Sequence, residues 1–155
     1  MKDLIVYVHG KGGSAQEAEH YKSLFPKDEV IGFDYHSQTP WESKKEFLAF
    51  FTEQRGRCEH LTLVANSIGA FFTLSSLDET LVDRAYFISP IVDMENLICN
   101  MMQWSGVTEQ ELALTSIETV SAFAKLHHAD LTVIPGGEHW FHTDEQMQFL
   151  DKWIR

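Results

Sequence analysis

The sequence predicts one α/β domain over residues 1–155, a doubly wound, mainly parallel sheet of about five strands with helices on both faces. Three observations carry this expectation. Short apolar, β-branched runs recur, as in LIVYV and LTLVA, and they lack the polar alternation of a sheet wetted on one side. Segments with helical spacing and helix-start signals lie between them. Strands that alternate with helices pair in parallel, because each crossover returns the chain to the same end of the sheet.

The elements follow in order. DLIVYVHG (3–10) reads as a first buried strand closed by glycine. SAQEAEHYKSLF (14–25) reads as a helix, with Ser14 as N-cap and Glu17 completing a capping box. EVIGFDYH (29–36) is a second strand. TPWESKKEFLAFFTEQRG (39–56) is a second helix: Thr39 caps it, Pro40 suits its first turn and Gly56 ends it. Trp41, Phe47, Leu48 and Phe51 recur at helical spacing and are expected to pack in the core. HLTLVAN (60–66) is a third strand, with a helix from about Ile68 to Leu77. RAYFISP (84–90) is a fourth strand, stopped by Pro90. DMENLICNMMQWSG (93–106) reads as a helix, and TEQELA (108–113) carries a capping box of Thr108 and Glu111. SIETVSAFAKLHHA (116–129) is a further helix, and DLTVIPGG (130–137) a fifth strand. TDEQMQFLDKWIR (143–155) is the last helix, capped by Thr143 with Gln146 reaching back. No internal repeat, low-complexity tract or linker interrupts the series.

Composition narrows the function classes. Hydrophobic residues make up 44% of 155, enough for a globular core. Twelve basic against twenty-three acidic residues give a net charge of −11. Such a surface repels phosphate, which argues against nucleic acid and gives no support for an anionic membrane surface. Cys58 and Cys99 stand far apart, outside any Cys-x-x-Cys pattern, and read as reduced thiols of a cytoplasmic protein. The first apolar run, Leu4 to Val8, is too short for a signal sequence or a membrane span. No cofactor is expected.

In an open parallel sheet the active crevice lies beyond the carboxyl ends of the strands. The first strand is followed by His9-Gly10-Lys11-Gly12-Gly13, and the third by Asn66-Ser67-Ile68-Gly69. The fourth leads to Ser89-Pro90-Ile91-Val92-Asp93, and the fifth to Gly136-Gly137-Glu138-His139. A serine hydroxyl is a weak nucleophile until a base takes its proton, and histidine titrates in the right range. A carboxylate behind the histidine fixes its tautomer. Glycines let backbone N–H groups approach a developing oxyanion. Ala65 and Gly69 flank Ser67 in a relaxed G-x-S-x-G pattern, and a sharp turn is expected to bring those two small residues together.

Each piece alone has a plainer reading. Ser67 would serve as a helix N-cap, His139 as a solvated loop residue, and Asp93 as the N-cap of the helix it opens. His139 with His142 suggests a metal pair, but no third ligand stands at a recognisable spacing, so no metal site is assigned. The His127-His128 pair sits at a helix C-terminus and carries no assigned role. Trp41, Trp104, Trp140 and the Met101-Met102 pair read as core or interface rather than as an acyl pocket. The order of glycine loop, serine turn, acid and histidine is more specific than any of its parts.

In that order the chain resembles the α/β-hydrolase superfamily, in the compact minimal-lid form similar to retinoblastoma-binding protein 9. VYVHGKGGS looks like the oxyanion loop, ANSIGA like the nucleophile elbow, and GGEHWFH like the segment bearing the catalytic histidine. The resemblance implies Ser67 as nucleophile and His139 as base. It also implies an oxyanion hole from the N–H groups of Ile68 and Lys11, with Gly10 and Gly12 in the same loop. It further implies a small acyl ester as substrate.

The resemblance departs in one place. The family carries an apolar run that delivers the acid between the fourth strand and the last, and this chain passes from one helical pattern to the next near residues 112–115. Asp93 is then the best placed carboxylate. Glu95, Glu138 and Asp34 are weaker candidates, suited to the helix dipole, loop and surface. Two functions stay open at this point: a serine hydrolase acting through an acyl-enzyme, or a non-catalytic binding protein of the same fold. An interior strand lost from the sheet would leave an open edge through which copies could associate.

Overall fold

The computed structural model describes residues 3–91, 117–137, 141 and 143–154. The chain divides into two compact units, residues 1–90 with 151–155, and residues 91–150.

The first unit holds a four-stranded parallel sheet of β1 (Leu4–Val8), β2 (Glu29–Phe33), β3 (Leu61–Asn66) and β4 (Arg84–Ile88), in the order β2-β1-β3-β4. β1 lies between two neighbours and is buried throughout. This agrees with its uninterrupted apolar run, since a central strand of a covered sheet has no wet face.

Side chains alternate across the sheet and choose the helices. Tyr7 points to the face where its ring stacks on Tyr21 of α1 (Ala18–Tyr21), centroids 5.0 Å apart. Gly32 is paired with Tyr7, and a Cβ there would come within 1.9 Å of the Ala15 carbonyl oxygen. The helix expected over 14–25 is shorter, a 3-10 turn at Ala15–Glu17 running into α1. On the other face lie α2 (Pro40–Arg55) and α3 (Ile68–Ser76). Phe33 meets Phe47, Phe50 and Phe51 of α2, and Phe47 meets Phe72 of α3 at 6.1 Å.

α2 starts as expected. Thr39 Oγ1 accepts from Glu42 N–H, Glu42 reaches back to Thr39 N–H, and Pro40 takes the first position. Gly56 caps its end in the right-handed region rather than the left-handed one. The expected aromatic core face is corrected. Phe47 and Phe51 are buried, whereas Trp41 is 70% and Leu48 42% exposed. The buried stripe is Ser43, Phe47, Phe51 and Gln54, which keeps the three- and four-residue steps of one helix face. Trp41 and Leu48, seven apart, share a different face.

The C-terminal residues return to the first unit. His20 Nε2 and Asp151 Oδ1 lie 2.8 Å apart, Trp153 packs edge-on against Tyr86, and Ile154 is buried. Cys58 is a buried free thiol whose Sγ contacts the Gln54 carbonyl; Cys99 lies outside the described residues.

The second unit contains α4 (Ile117–Leu126) and most of α5 (Asp144–Trp153). Thr143 Oγ1 accepts from Gln146 N–H, as expected of a cap, but the Gln146 side-chain oxygen is buried without a partner instead of reaching back. α4 ends in a Schellman arrangement: Ala129 N–H donates to Ala124 O and His128 N–H to Lys125 O, with His128 at φ 52°.

The strand expected over 130–137 joins no ladder among the described residues. Leu131 and Val133 are 42% and 54% exposed. A β-branched run makes a strand only where an edge receives its N–H and C=O groups, so composition alone did not decide it. Four strands are therefore described, one fewer than expected. The helices expected over 93–106 and 108–113, and the departure near 112–115, lie outside the described residues. No described helix is long and apolar enough to cross a membrane.

Candidate active site

The register of the sheet brings two turns together. Val8 pairs with Ala65, so the turn after β1 lies beside the turn after β3. After β1, Gly13 N–H donates to Gly10 O at 3.2 Å and Gly12 has φ +76°. This is the pattern of a type II turn, with Lys11 and Gly12 at its centre; the third position needs a positive φ and so takes glycine. Lys11 and Gly12 are exposed and Gly10 is buried.

After β3, Ser67 has φ 53° and ψ −120°. These angles mirror the second position of a type II turn, a region that a side chain disfavours. Both sides of the residue are fixed. Ser67 N–H donates to Ile88 O of β4 at 2.9 Å, and Ser67 O accepts from Ala70 and Phe71 in α3. Ile68 opens α3, so its N–H has no carbonyl of that helix to bond. Ser89, just beyond β4, also has a positive φ, 45°.

Small residues allow the approach. A Cβ on Gly69 would stand 2.4 Å from His9 O and 2.9 Å from Val8 Cγ1. Gly69 is therefore held small by the end of β1, the strand whose Val8 pairs with Ala65. A Cβ on Gly10 would stand 3.2 Å from Ser67 Cβ. Ser67, Ile68, Gly10, Lys11 and Gly12 thus belong to two adjoining turns.

His9 and Tyr35 brace the first turn. Their rings stack at 4.3 Å, and Tyr35 O–H donates to His9 O at 2.9 Å. His9 Nδ1 lies 2.8 Å from Gly10 O, which makes it the protonated nitrogen, and leaves buried Nε2 without a partner. Burial pushes the Tyr35 phenol above its ordinary range, and the charge of Glu46 adds to this. The Tyr35–His9 brace escaped the sequence reading. Its only trace was a tyrosine just beyond the second apolar run.

A second unnoticed group is Tyr7, the one hydroxyl in the apolar run of β1. Tyr7 O–H donates to Glu17 Oε2 at 2.5 Å, and Glu17 Oε1 accepts from Ser14 N–H at 3.1 Å. Burial first, then the Glu17 carboxylate, push the Tyr7 phenol far above its ordinary range. Glu17, read as a capping residue, also serves the sheet.

In the second unit, Gly137 N–H donates to Ile134 O and Gly136 has φ 70°, so IPGG forms a Pro-Gly type II turn two residues before His139. Asp93, His139, Glu138, Glu95, His142, Trp104, Trp140, Met101 and Met102 lie outside the described residues. Asp34 is exposed. Among the described residues, no group of three or more His, Cys, Asp or Glu side chains could hold a metal ion.

No family model matches the sequence, and no curated protein matches it. Among solved structures, the chain is similar to a carboxylesterase from Mesorhizobium loti, with TM-score 0.69 and 15% identity. The match covers 99% of this chain and 88% of that one. At that identity the likeness speaks for architecture, and the architecture is an α/β-hydrolase-like fold.

Proposed function

We propose that the protein is a serine hydrolase of the carboxylic-ester type, of the compact kind similar to retinoblastoma-binding protein 9, acting on a small acyl ester or thioester through an acyl-enzyme on Ser67. The observation that carries this reading is the Ser67 backbone, φ 53° and ψ −120°, between a parallel strand and a helix and beside a glycine turn. An ordinary N-cap needs no such conformation, since extended angles serve it, as at Thr39. A Ser at a strained strand-to-helix turn is what exposes a nucleophile. The likeness to a carboxylesterase in fold supports the same reading.

In this reading His139 takes the Ser67 hydroxyl proton as Oγ bonds to the acyl carbon. The carbonyl oxygen becomes an oxyanion between the N–H groups of Ile68 and Lys11, and Gly10 and Gly12 let the backbone close around it. His139 then gives the proton to the leaving oxygen or sulfur. Water, deprotonated by His139, repeats the attack and releases the carboxylic acid and free Ser67. Asp93 is the carboxylate proposed to hold the second nitrogen of His139; loss of such a group lowers turnover by about 10⁴. The second reading, a binding protein of the same fold without turnover, rests on the acid-bearing run that the sequence lacks near residues 112–115.

Labelling with a fluorophosphonate, read by intact mass, decides between them. Wild type is expected to gain one phosphonyl group and Ser67→Ala none. A folded wild type that stays unlabelled overturns the hydrolase.

A further inference from the structure

Tyr7 and Glu17 tie β1 to the far end of the glycine turn. Tyr7 is 2% exposed and sits in β1 opposite Val64 of β3. Its hydroxyl donates to Glu17 Oε2 at 2.5 Å. The other oxygen of that carboxylate accepts from Ser14 N–H, and a Cβ on Gly13 would stand 2.6 Å from it. The carboxylate thus lies directly under the far end of the glycine turn. At the near end, the Asn66 side-chain Cγ lies 3.9 Å from where a Gly10 Cβ would be. Asn66 immediately precedes Ser67.

A capping box alone does not call for this arrangement. The cap needs only the Glu17–Ser14 bond, whereas a tyrosine hydroxyl in a central, fully covered strand must find a partner or lose its water. Both needs meet on one carboxylate, and a hydrogen bond to an ionised acceptor is among the stronger kinds.

We infer that Tyr7 and Glu17 are a positioning pair that fixes the Gly10–Gly13 turn relative to the Ser67 turn. This rests on the hydrolase reading, in which the first turn supplies an oxyanion donor. Such donors act only if already in place when charge develops. Loss of the pair therefore lowers the rate of the chemical step and leaves ground-state binding alone.

The test compares wild type, Tyr7→Phe, Glu17→Gln, Glu17→Ala and the surface control Glu19→Gln. Three quantities are read: the fluorophosphonate labelling rate, kcat and KM on p-nitrophenyl butyrate, and amide exchange along residues 10–14 and 61–65. Tyr7→Phe and Glu17→Ala are expected to label and turn over about tenfold more slowly at unchanged KM, the scale of one lost charge-assisted hydrogen bond. Amides of residues 10–14 should exchange about tenfold faster in the same variants, with 61–65 unchanged, for the same lost bond. Glu17→Gln keeps one acceptor oxygen and should lie between, and Glu19→Gln should match wild type.

Exchange in 10–14 equal to wild type, or faster exchange spread equally over 61–65, overturns the inference, as does a rise in KM with kcat unchanged. A wild type that neither labels nor turns over ester refutes the hydrolase reading alone. The exchange arm still decides whether the pair holds the turn.

Discussion

The backbone of Ser67 gives a prediction that needs no substrate. Its φ of 53° and ψ of −120° lie where only glycine is at ease, and holding a side chain there costs about 1–3 kcal/mol. Ser67→Ala and Ser67→Gly both remove Oγ, so whatever that oxygen contacts cancels between them. What differs is the Cβ. Glycine relieves the strain in the folded state but gives the unfolded chain more freedom, which takes back about 0.4–1 kcal/mol. The Cβ of Ser67 lies 3.2 Å from the position a Gly10 Cβ would occupy, space that Gly10 leaves open. The difference is expected to be about 1 kcal/mol in favour of Ser67→Gly. For a chain of this length that corresponds to melting about 2–4 °C above Ser67→Ala. Differential scanning calorimetry and urea titration both read it, and neither variant should take a fluorophosphonate. If Ser67→Ala proves equally or more stable, the turn is not strained and the argument from its dihedrals fails.

Three further outcomes are expected. Gly69→Ala would place a Cβ 2.4 Å from His9 O, so α3 or the end of β1 must move, lowering stability by about 1–3 kcal/mol in urea titration and slowing any labelling of Ser67. His128→Gly removes a left-handed histidine from the end of α4 and should raise stability by about 1 kcal/mol, read by the same titration. Burial alone would raise the Glu46 carboxyl, but the Ser37 hydroxyl and the N–H groups of His36 and Ser37 outweigh it and hold the group below its ordinary range. A carboxyl depressed in the folded state contributes stability present above its unfolded value, about 4.3, and lost as pH falls through the folded value. Glu46→Gln should therefore flatten the acid side of the melting-temperature profile while wild type keeps its slope; parallel profiles would refute this.

What the sequence made legible was local. The buried run of β1, the Thr39–Glu42 cap and the Ser67 turn each follow from residues adjacent in the chain, so spacing was enough to find them. What it hid depends on pairing at a distance. DLTVIPGG has the composition of a strand, yet a strand exists only where another edge completes it. Trp41 and Leu48 fit a helical period as well as Phe47 and Phe51 do, and it is partners distant in the chain, Phe33 on the sheet and Phe72 of α3, that bury the second pair. The Tyr7–Glu17 bond spans ten residues and joins two elements whose own readings were already satisfied, one as a strand and one as a cap. Gly69 reads as small from its place in the Ser67 turn, while the closest constraint on it comes from β1, sixty residues earlier in the chain.

That constraint explains why strain gathers at Ser67 rather than spreading along the turn. β3 must end level with β1, because Val8 pairs with Ala65, and it must also stay level with β4, because Asn66 pairs with Ile88. Immediately beyond, α3 has to start so close to β1 that residue 69 tolerates no side chain. Ser67 N–H is held by the sheet through Ile88 O, and Ser67 O is held by the helix through Ala70 and Phe71. Between two fixed peptide planes, φ and ψ of one residue are the only freedoms left, so they absorb the whole change of direction. A glycine at 67 would do so without cost, and a sequence selected for stability alone would place one there. The chain instead holds a serine at the position where serine is least comfortable, with Gly10 leaving room beside its Cβ and Gly69 letting α3 start against β1. A side chain retained against its own backbone preference points to use of that side chain, and its hydroxyl is the only chemistry it has.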